Sequence, residues 1–341
     1  MVAIPKAVID TKTQKHLESI GLNMIHRGKV RDTYRVSSDA LLVVASNRIS
    51  IFDFVLKCQI PAKGEYLTAM THFWLTQILS GFKNHLISDM YRKMDDLDIP
   101  TEIQKRALLV KDLSEDLLPF ELIFRAHIGG SRYKEYVENG GVVAGAILQV
   151  GQDQKPLPKW SKLDIPAFTP TTKEQMGHDQ DVTVGDFQIW CQEKHINGQK
   201  VIDMAREAYV KAYQYAQKRR VLILDTKFEA TADTLADEIL TPDSSRFVDQ
   251  DNWEEAISSD PPQEPEFYDK QLVRKWGSEI TTRLGTGIKR LDPTDPEDIA
   301  FVQNQKVPNT VIADIVSRYM FIFHRITKQR LYVYQRDCMG I

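Results

Sequence analysis

Two carboxylates and an ammonium group alternate along one short stretch of this chain, VLILDTKFEAT. Its first four residues, 221–224, are apolar and predict a strand that is buried on both faces. Asp225, Lys227 and Glu229 follow at intervals of two residues. Because successive side chains of a strand point to opposite faces, these three side chains share one face. The pattern therefore predicts a charged site at the end of a buried strand.

A second charged cluster follows in the stretch ADEILTPDSSRF, which carries Asp237, Glu238, Asp243, Ser244 and Arg246. Asp243 and the two serines after it predict a turn or an anion-facing loop, with Arg246 available to bind a phosphate oxygen. With the carboxylates of the strand, this cluster predicts an oxygen-rich site for magnesium and nucleotide phosphates. An exposed acidic turn is the alternative, and the closeness of the two clusters disfavours it.

Two further stretches could bind phosphate. HRGKVRDTYRV places Gly28 and Lys29 in a turn between two predicted strands, with Arg31 on the strand that leaves it. The N–H groups and lysine of such a turn can hold a polyphosphate, although a solvated basic hairpin has the same pattern. FRAHIGGSRYKEY combines Arg125, a Gly–Gly bend and Ser131 at a predicted helix start, which suits a monophosphate. A helix cap explains Ser131 equally well but leaves Arg125 without a partner.

The stretch LLVVASNRISIFDF places Arg48, Ser50 and Asp53 directly after a strand of the buried type. Loops at the end of such a strand often bind ligands, and a structural Arg–Asp pair gives the same pattern. The sequence alone leaves both interpretations open.

Composition narrows the class of protein. The net charge of −3 gives no general affinity for nucleic acid or for anionic membranes. The 3 cysteines are widely spaced and predict neither a disulfide framework nor a zinc site, which favours a reducing cytosol. The chain shows no signal-peptide pattern and no apolar run of membrane-spanning length. We therefore expect a cytoplasmic protein.

The order of the elements predicts an α+β fold. Short alternating runs between residues 22 and 54 predict an antiparallel meander, ALLVKDL and FELIFRAHI predict later strands, and helical spacing dominates the C-terminal third. Four prolines between residues 156 and 170 predict an irregular loop. A chain of 341 residues is long enough for two lobes with a cleft. We expect an N-terminal sheet lobe over 1–118, a central lobe over 119–260 and C-terminal helices over 261–341.

Several of these stretches together resemble the SAICAR synthetase family, the phosphoribosylaminoimidazole-succinocarboxamide synthases. The matching text, in the order of the family, is GKVRDTYRV, SNRISIFDFVL, IPAKGEYLTAMTHFW, GGSRYKEY, FTPTTKEQMGHD, LDTKFEAT and DEILTPDSSRF. The chain departs from the family pattern at Asn47, where the family usually has Asp, and at Ala62, Ala126, Ala230 and Val248. The charged residues of the main motifs are kept.

The resemblance implies a two-lobed fold related to ATP-grasp, with antiparallel sheets, flanking helices and a nucleotide cleft between the lobes. It also implies that ATP, the ribonucleotide CAIR and L-aspartate react, with Mg²⁺, to give SAICAR, ADP and phosphate through an acyl phosphate. Another ATP-dependent carboxylate–amine ligase or a small-molecule kinase would use similar motifs. A nucleotide-binding module without catalysis is a third interpretation.

The resemblance also implies a role for each candidate residue. ATP would be bound by Gly28, Lys29, Arg31 and Glu229, the metal ion by Asp237 and Glu229, CAIR by Arg125, Ser131, Asp243, Ser244, Arg246 and Ser50, and catalysis would involve Lys227, Asp225 and Arg48.

Overall fold

Strands dominate the first half of the chain and helices the C-terminal part, as the sequence predicts. The computed structural model describes residues 3–130, 132–173 and 180–341. The strands are β1 (Asn23–Arg27), β2 (Arg31–Arg35), β3 (Ala40–Ala45), β4 (Arg48–Ile51), β5 (Phe54–Gln59), β6 (Ala107–Lys111), β7 (Phe120–His127), β8 (Val142–Val143), β9 (Ala146–Ile147), β10 (Lys162–Phe168), β11 (Thr171–Thr172), β12 (Val221–Ala230), β13 (Leu235–Ala236), β14 (Ser245–Asp249), β15 (Thr281–Thr282) and β16 (Gly285–Thr286). The helices are α1 (Thr11–Ser19), α2 (Lys63–Phe73), α3 (Met90–Asp96), α4 (Thr101–Gln104), α5 (Arg132–Glu138), α6 (Val184–Glu193), α7 (Gly198–Gln217), α8 (Gln250–Ser258), α9 (Gln271–Glu279), α10 (Pro296–Asn304), α11 (Asn309–Thr327) and α12 (Leu331–Tyr334).

The predicted meander forms the first sheet. Its strands lie in the order β1-β2-β3-β6, and every pairing is antiparallel. β4 and β5 leave this sheet and form a separate hairpin. The central strand β3 is apolar along its whole length, and Leu42 and Val44 are buried in the main core. The turn between β1 and β2 lies at the end of these two strands.

The second sheet is built around β12. Its strands lie in the order β10-β7-β12-β13, with β11 paired to β7 and β14 paired to β12. The long helix α7 packs on it, and the Tyr209 hydroxyl donates to the carbonyl of Ile223 at 2.6 Å. Antiparallel register places Asp225 opposite Arg125 on β7 and opposite Arg246 on β14. The sheet thus brings together three charged residues that are far apart in sequence.

The prediction of an irregular loop over residues 156–170 is wrong for its second half. Strand β10 pairs antiparallel with the edge of β7, with a register shift between Lys162 and Ala167. Pro166 lies inside that irregular section. Proline is tolerated on an edge strand or at a bulge because its missing N–H need not join the ladder.

The C-terminal helices pack against the β4–β5 hairpin. A second core joins Ile49, Ile51 and Leu56 of the hairpin to α9, α10 and α11. The clear helical pattern near the C-terminus is confirmed as α11, which spans Asn309–Thr327. Across the described residues, the helices are too short or too polar to cross a bilayer. The domain boundaries near residues 118 and 260 stay a prediction.

Candidate substrate and nucleotide site

The alternation predicted for the opening stretch is confirmed. Thr226 and Phe228 point into the protein and are buried, whereas Lys227 and Glu229 are partly exposed on the other face of β12. Lys227 forms an ion pair with Glu121, which lies on β7 two positions from its cross-strand neighbour. Such diagonal pairs are within reach of long side chains. One face of β12 therefore carries a row of charged groups.

Asp225 gathers two guanidinium groups at one end of this row. Arg125 Nη1 lies 2.5 Å from Asp225 Oδ2, and Arg246 Nη1 contacts the same oxygen. Arg125 Nε also donates to the Thr169 hydroxyl at 3.0 Å. Burial lowers the pKa of Arg125, and the positive charge of Arg246 also lowers it. The Asp225 carboxylate acts in the opposite direction but does not cancel the effect of burial. The shared carboxylate holds two cations close together in a buried place.

Two more arginines, Arg132 and Arg274, extend this group, and we call the four the arginine cluster: Arg125, Arg132, Arg246 and Arg274. Burial lowers the pKa of Arg274, and the positive charge of Arg246 lowers it further. The charge of Arg132 likewise contributes to the lowered pKa of Arg125. In the described part of the chain, Arg246 Nε, Arg274 Nε and Arg132 Nη2 are buried without a hydrogen-bond partner. A buried donor without an acceptor costs about 1–3 kcal/mol, and an anionic ligand bound here would remove that cost.

The Gly–Gly bend lets the chain pass close to this cluster. Gly130 has φ +64°, and a Cβ there would lie 3.1 Å from Arg246 Nη1. The guanidinium of Arg246 also lies 5.7 Å from the ring centre of Trp160. A side chain at position 130 would therefore meet the cation as well as strain the backbone. Ser131, predicted to bind phosphate beside this bend, lies outside the described residues.

Sequence reasoning missed a segment at the start of α9 that completes the cluster. The stretch YDKQLVRKW places Asp269, Lys270 and Arg274 on or next to the first turn of α9. Burial raises the pKa of Asp269 to about 6 and lowers that of Lys270 to about 8. The spacing of Lys270 and Arg274 puts both on one helix face, which was the available signal.

Asp243 is buried beneath this region rather than open to it. Its Oδ2 lies 2.7 Å from Lys63 Nζ, and its Oδ1 accepts from the Tyr319 hydroxyl at 2.5 Å. Burial would raise the pKa of Asp243, but the charges of Lys63 and Lys270 hold it well below its usual range. The side chain of Asp243 is only 6% exposed and is occupied by these contacts, and its predicted role in substrate binding stays a prediction.

Ser244, predicted as a second contact of this loop, closes the turn instead. Its hydroxyl accepts from the backbone N–H of Thr241 at 3.1 Å, and its carbonyl accepts from the N–H of Lys227 at 3.0 Å. Ser244 therefore fixes the loop against β12, beside the row of charges.

We expect Asp243→Asn to lower the free energy of unfolding by about 3 kcal/mol, because Lys63 is fully buried and would lose its charged partner. Urea unfolding followed by circular dichroism measures the loss. The double variant Lys63→Met/Asp243→Asn should lose less than the two single losses added together. Additive losses would show that the two charges are not coupled.

The other end of the β12 row meets the first sheet. Arg31 forms a two-pronged ion pair with Asp237, with Nη2 2.6 Å from Oδ2, and its Nη2 lies 3.8 Å from Glu238. Glu229 is paired with Lys173. Burial would raise the pKa of Asp237, but Arg31 holds it far below its usual range. Burial and then the charge of Asp237 raise the pKa of Glu229 to about 7.

This junction suits a metal ion that is shared with a ligand. The described residues contain no group of three or more metal-binding side chains, and Glu229 lies opposite Ala236, next to Asp237. Mg²⁺ typically uses one or two carboxylates together with phosphate oxygens, so two neighbouring carboxylates fit it. A bound cation would also relieve the repulsion that raises the pKa of Glu229.

The Gly–Lys turn directly precedes β2, which carries Arg31, and it contacts the β4–β5 hairpin. Lys29 is ion-paired with Asp53, which sits with Phe52 in the tight turn of the β4–β5 hairpin. Both turn residues have positive φ, 49° for Phe52 and 68° for Asp53. Such angles are strained for non-glycine residues and often occur at functional sites. The Lys29–Asp53 ion pair therefore fixes the Gly–Lys turn against the turn of the β4–β5 hairpin.

Arg48, predicted as a catalytic residue, lies behind the Gly–Lys turn. Its side chain is fully buried, and its Nη2 lies 2.6 Å from Asp32 Oδ1. It therefore supports the Gly–Lys turn from behind. Ser50 is half-buried on β4 opposite Val55. Asn47 accepts from the N–H of Gly64 at 3.1 Å, a bond that the usual aspartate could also accept.

Solved structures of the same shape are SAICAR synthases. The Saccharomyces cerevisiae SAICAR-synthase complexed with SAICAR has a TM-score of 0.71 and 29% identity, covering 92% of this chain and 97% of that chain. A second SAICAR synthase has a TM-score of 0.70 and 28% identity, covering 96% and 99%. The chain therefore has the SAICAR-synthase fold, with mixed helices and antiparallel sheets.

The sequence comparisons agree with the fold. The model of the SAICAR synthetase family matches residues 24–291. The phosphoribosylaminoimidazole-succinocarboxamide synthase of Thermobifida fusca is 35% identical over 323 residues, which is 92% of this chain and 94% of that protein. The chain belongs to the SAICAR synthetase family, and it is a ligase of purine biosynthesis.

Proposed function

We propose that this protein joins L-aspartate to the carboxylate of CAIR, using ATP with Mg²⁺, and releases SAICAR, ADP and phosphate. The arginine cluster, with buried donors that lack acceptors, is the observation that carries the proposal. It offers a site for the phosphate of a ribonucleotide at one end of β12. The related S. cerevisiae structure, which contains SAICAR, supports this assignment.

The chemistry requires that the CAIR carboxylate be activated. A free carboxylate is a poor acylating agent, because an oxide would have to leave. Transfer of the γ-phosphoryl group of ATP to a carboxylate oxygen gives an acyl phosphate and ADP. The amine of aspartate then attacks the acyl carbon, phosphate leaves with the C–O bond electrons, and the amine loses a proton. The protein supplies position and charge neutralisation for these steps.

The charges along β12 suggest how the substrates are arranged. Arg125 and Arg246 bind the CAIR phosphate, Lys29 and Arg31 bind the ATP phosphates, and Lys227 lies between the two ends. Asp237 and Glu229 would hold Mg²⁺, which neutralises charge on the phosphates when it is bound. We propose that the two sheets form the two lobes of a nucleotide cleft related to ATP-grasp. The cytoplasmic location stays a prediction.

Coupled ADP release by the purified protein tests the function directly. We expect release only when ATP, Mg²⁺, CAIR and L-aspartate are all present, and each is omitted in turn. Release without aspartate would instead indicate a kinase. Binding of ATP without any release of ADP would indicate a nucleotide-binding module. Either result would contradict the proposal.

The raised pKa of Glu229 predicts that nucleotide binding depends on pH. We expect the affinity for Mg²⁺–ADP to fall by up to about tenfold per pH unit below about 7, because the protonated carboxyl cannot bind the cation. Titration calorimetry between about pH 6 and 8 measures the slope. Glu229→Gln should bind Mg²⁺–ADP more weakly than the wild type at the alkaline end of this range. Its affinity should also depend less on pH, because the titration of Glu229 is lost.

The variant keeps the titration of ADP itself and the side chains of Asp237, Lys173 and Arg31, which surround Glu229. It therefore isolates the contribution of one carboxyl group. Equal slopes for the wild type and Glu229→Gln would remove Glu229 from the metal site.

A further inference from the structure

Arg48 is buried in an unusual way for a charged side chain. Its Nη2 donates to the carbonyl of Gly28 at 3.2 Å, and its Nε donates to the carbonyl of Lys29 at 3.1 Å. The guanidinium also faces Asp32. Its Nη2 lies 2.6 Å and its Nη1 3.4 Å from the carboxylate oxygens of Asp32. Arg48 therefore fastens two consecutive carbonyls of the Gly–Lys turn, while Asp32 balances its charge.

The next carbonyl is held from the same side. Ser46 donates to the carbonyl of Val30 twice, from its N–H at 2.9 Å and from its hydroxyl at 2.6 Å. The Arg48 backbone N–H in turn donates to the Ser46 hydroxyl at 3.3 Å. Arg48 and Ser46 thus donate hydrogen bonds to three successive carbonyls, those of Gly28, Lys29 and Val30.

The orientation of the carbonyls fixes the orientation of the N–H groups. In a trans peptide the C=O and the following N–H point in opposite directions. The N–H groups of Lys29 and Val30 therefore point away from Arg48. Within the described ranges, neither N–H has a protein acceptor. Exposed, unfilled N–H groups beside a lysine make an anion site.

We propose that Arg48 is a positioning residue for nucleotide binding, because it turns the N–H groups of Lys29 and Val30 toward the phosphates of ATP. The inference rests on the proposed use of ATP. Arg48 itself touches no phosphate, since its guanidinium is fully buried. Its effect passes through the backbone of the turn, whose other side is held by the Lys29–Asp53 ion pair.

The variant Arg48→Lys tests this role, because an ammonium keeps the charge but cannot reach two carbonyls and a carboxylate in a fork. We expect the Kd for Mg²⁺–ADP, measured by titration calorimetry, to rise about tenfold or more. The KM for ATP should rise with it, whereas the KM for CAIR and kcat at saturating ATP should stay within about twofold. Ser46→Ala should weaken ADP binding in the same direction and by less.

Arg106→Lys is the matched control. Arg106 also joins a carbonyl at the end of β3 to a carboxylate at the start of α1, with Nη1 3.1 Å from Ala45 O and Nη2 2.6 Å from Asp10 Oδ2. It makes no contact with the carbonyls of the Gly–Lys turn. We expect Arg106→Lys to lower Tm to a similar degree while leaving the Kd for Mg²⁺–ADP within about twofold.

The possible outcomes separate the inference from the proposed function. If both variants weaken ADP binding equally, or if Arg48→Lys loses stability without losing ADP affinity, Arg48 is only structural and the inference is wrong. If the wild-type protein binds no ADP, the proposed use of ATP fails first and the inference fails with it.

Discussion

The variant Arg246→Ala should raise the KM for CAIR about 100-fold, which corresponds to about 2.7 kcal/mol of lost charge-assisted hydrogen bonding. Arg246 contacts Asp225 on one side, and its Nε is buried without an acceptor on the other. A CAIR phosphate would fill that donor. The KM for ATP should change by less than about twofold, because Arg31 and its partner Asp237 lie at the other end of β12.

Steady-state kinetics with each substrate varied in turn measure this difference. Arg220→Ala is a suitable control, because Arg220 lies directly before β12 and its exposed side chain forms a surface ion pair with Asp251. Its loss should leave both KM values unchanged. An equal rise in the KM for CAIR and for ATP in Arg246→Ala would refute the assignment of the arginine cluster to the CAIR phosphate.

Much of the fold could be predicted, because short-range patterns determine it. The apolar run at residues 221–224 becomes the buried part of β12, and the break at Asn197 and Gly198 separates α6 from α7. The Asn197 side chain accepts from the N–H of Lys200, a capping bond that the sequence pattern implies. The strand β10 was missed, because four prolines outweighed an edge pairing that only the neighbouring strand makes possible.

The candidate site was predicted in its residue types but not in its partners. Sequence spacing placed Asp225, Lys227 and Glu229 on one face, and the structure confirms this. It did not show that Arg48 would pair with Asp32 instead of Asp53, because that choice depends on how β2 and β4 pack. Long-range ion pairs of this kind follow from the tertiary fold, and local pattern carries no signal for them.

The same limit explains why part of the cluster was missed. Arg274 joins Arg246 from a helix that begins 25 residues later, and Lys63 reaches Asp243 from α2 near the start of the chain. Neither partner is close in sequence. Among the described residues, three of the four arginines in the cluster keep a buried donor without an acceptor, a feature of the tertiary fold that the sequence pattern does not show.

The spacing along β12 has a consequence for the reaction. A strand advances by about 3.3 Å per residue, so Asp225 and Glu229 lie about 13 Å apart with Lys227 midway. Arginines gather at the Asp225 end, and carboxylates with Arg31 gather at the Glu229 end. A phosphoryl group that passes from the nucleotide to the CAIR carboxylate would cross the middle of this row, where the ammonium of Lys227 lies.

We therefore expect Lys227→Met to lower kcat by about 10²–10³, because the variant removes a cation that would stabilise the charge developing during transfer. ADP affinity should stay within about twofold, and circular dichroism should show a folded protein. Lys162→Met is the control, since Lys162 lies on the outer strand of the same sheet, with its Nζ 5.4 Å from the Tyr213 ring centre. Stopped-time assays of SAICAR formation with all substrates saturating measure the effect. A kcat near the wild-type value in Lys227→Met would show that Lys227 has a structural role, as in its ion pair with Glu121. The row of charges would then bind the substrates without assisting the transfer between them.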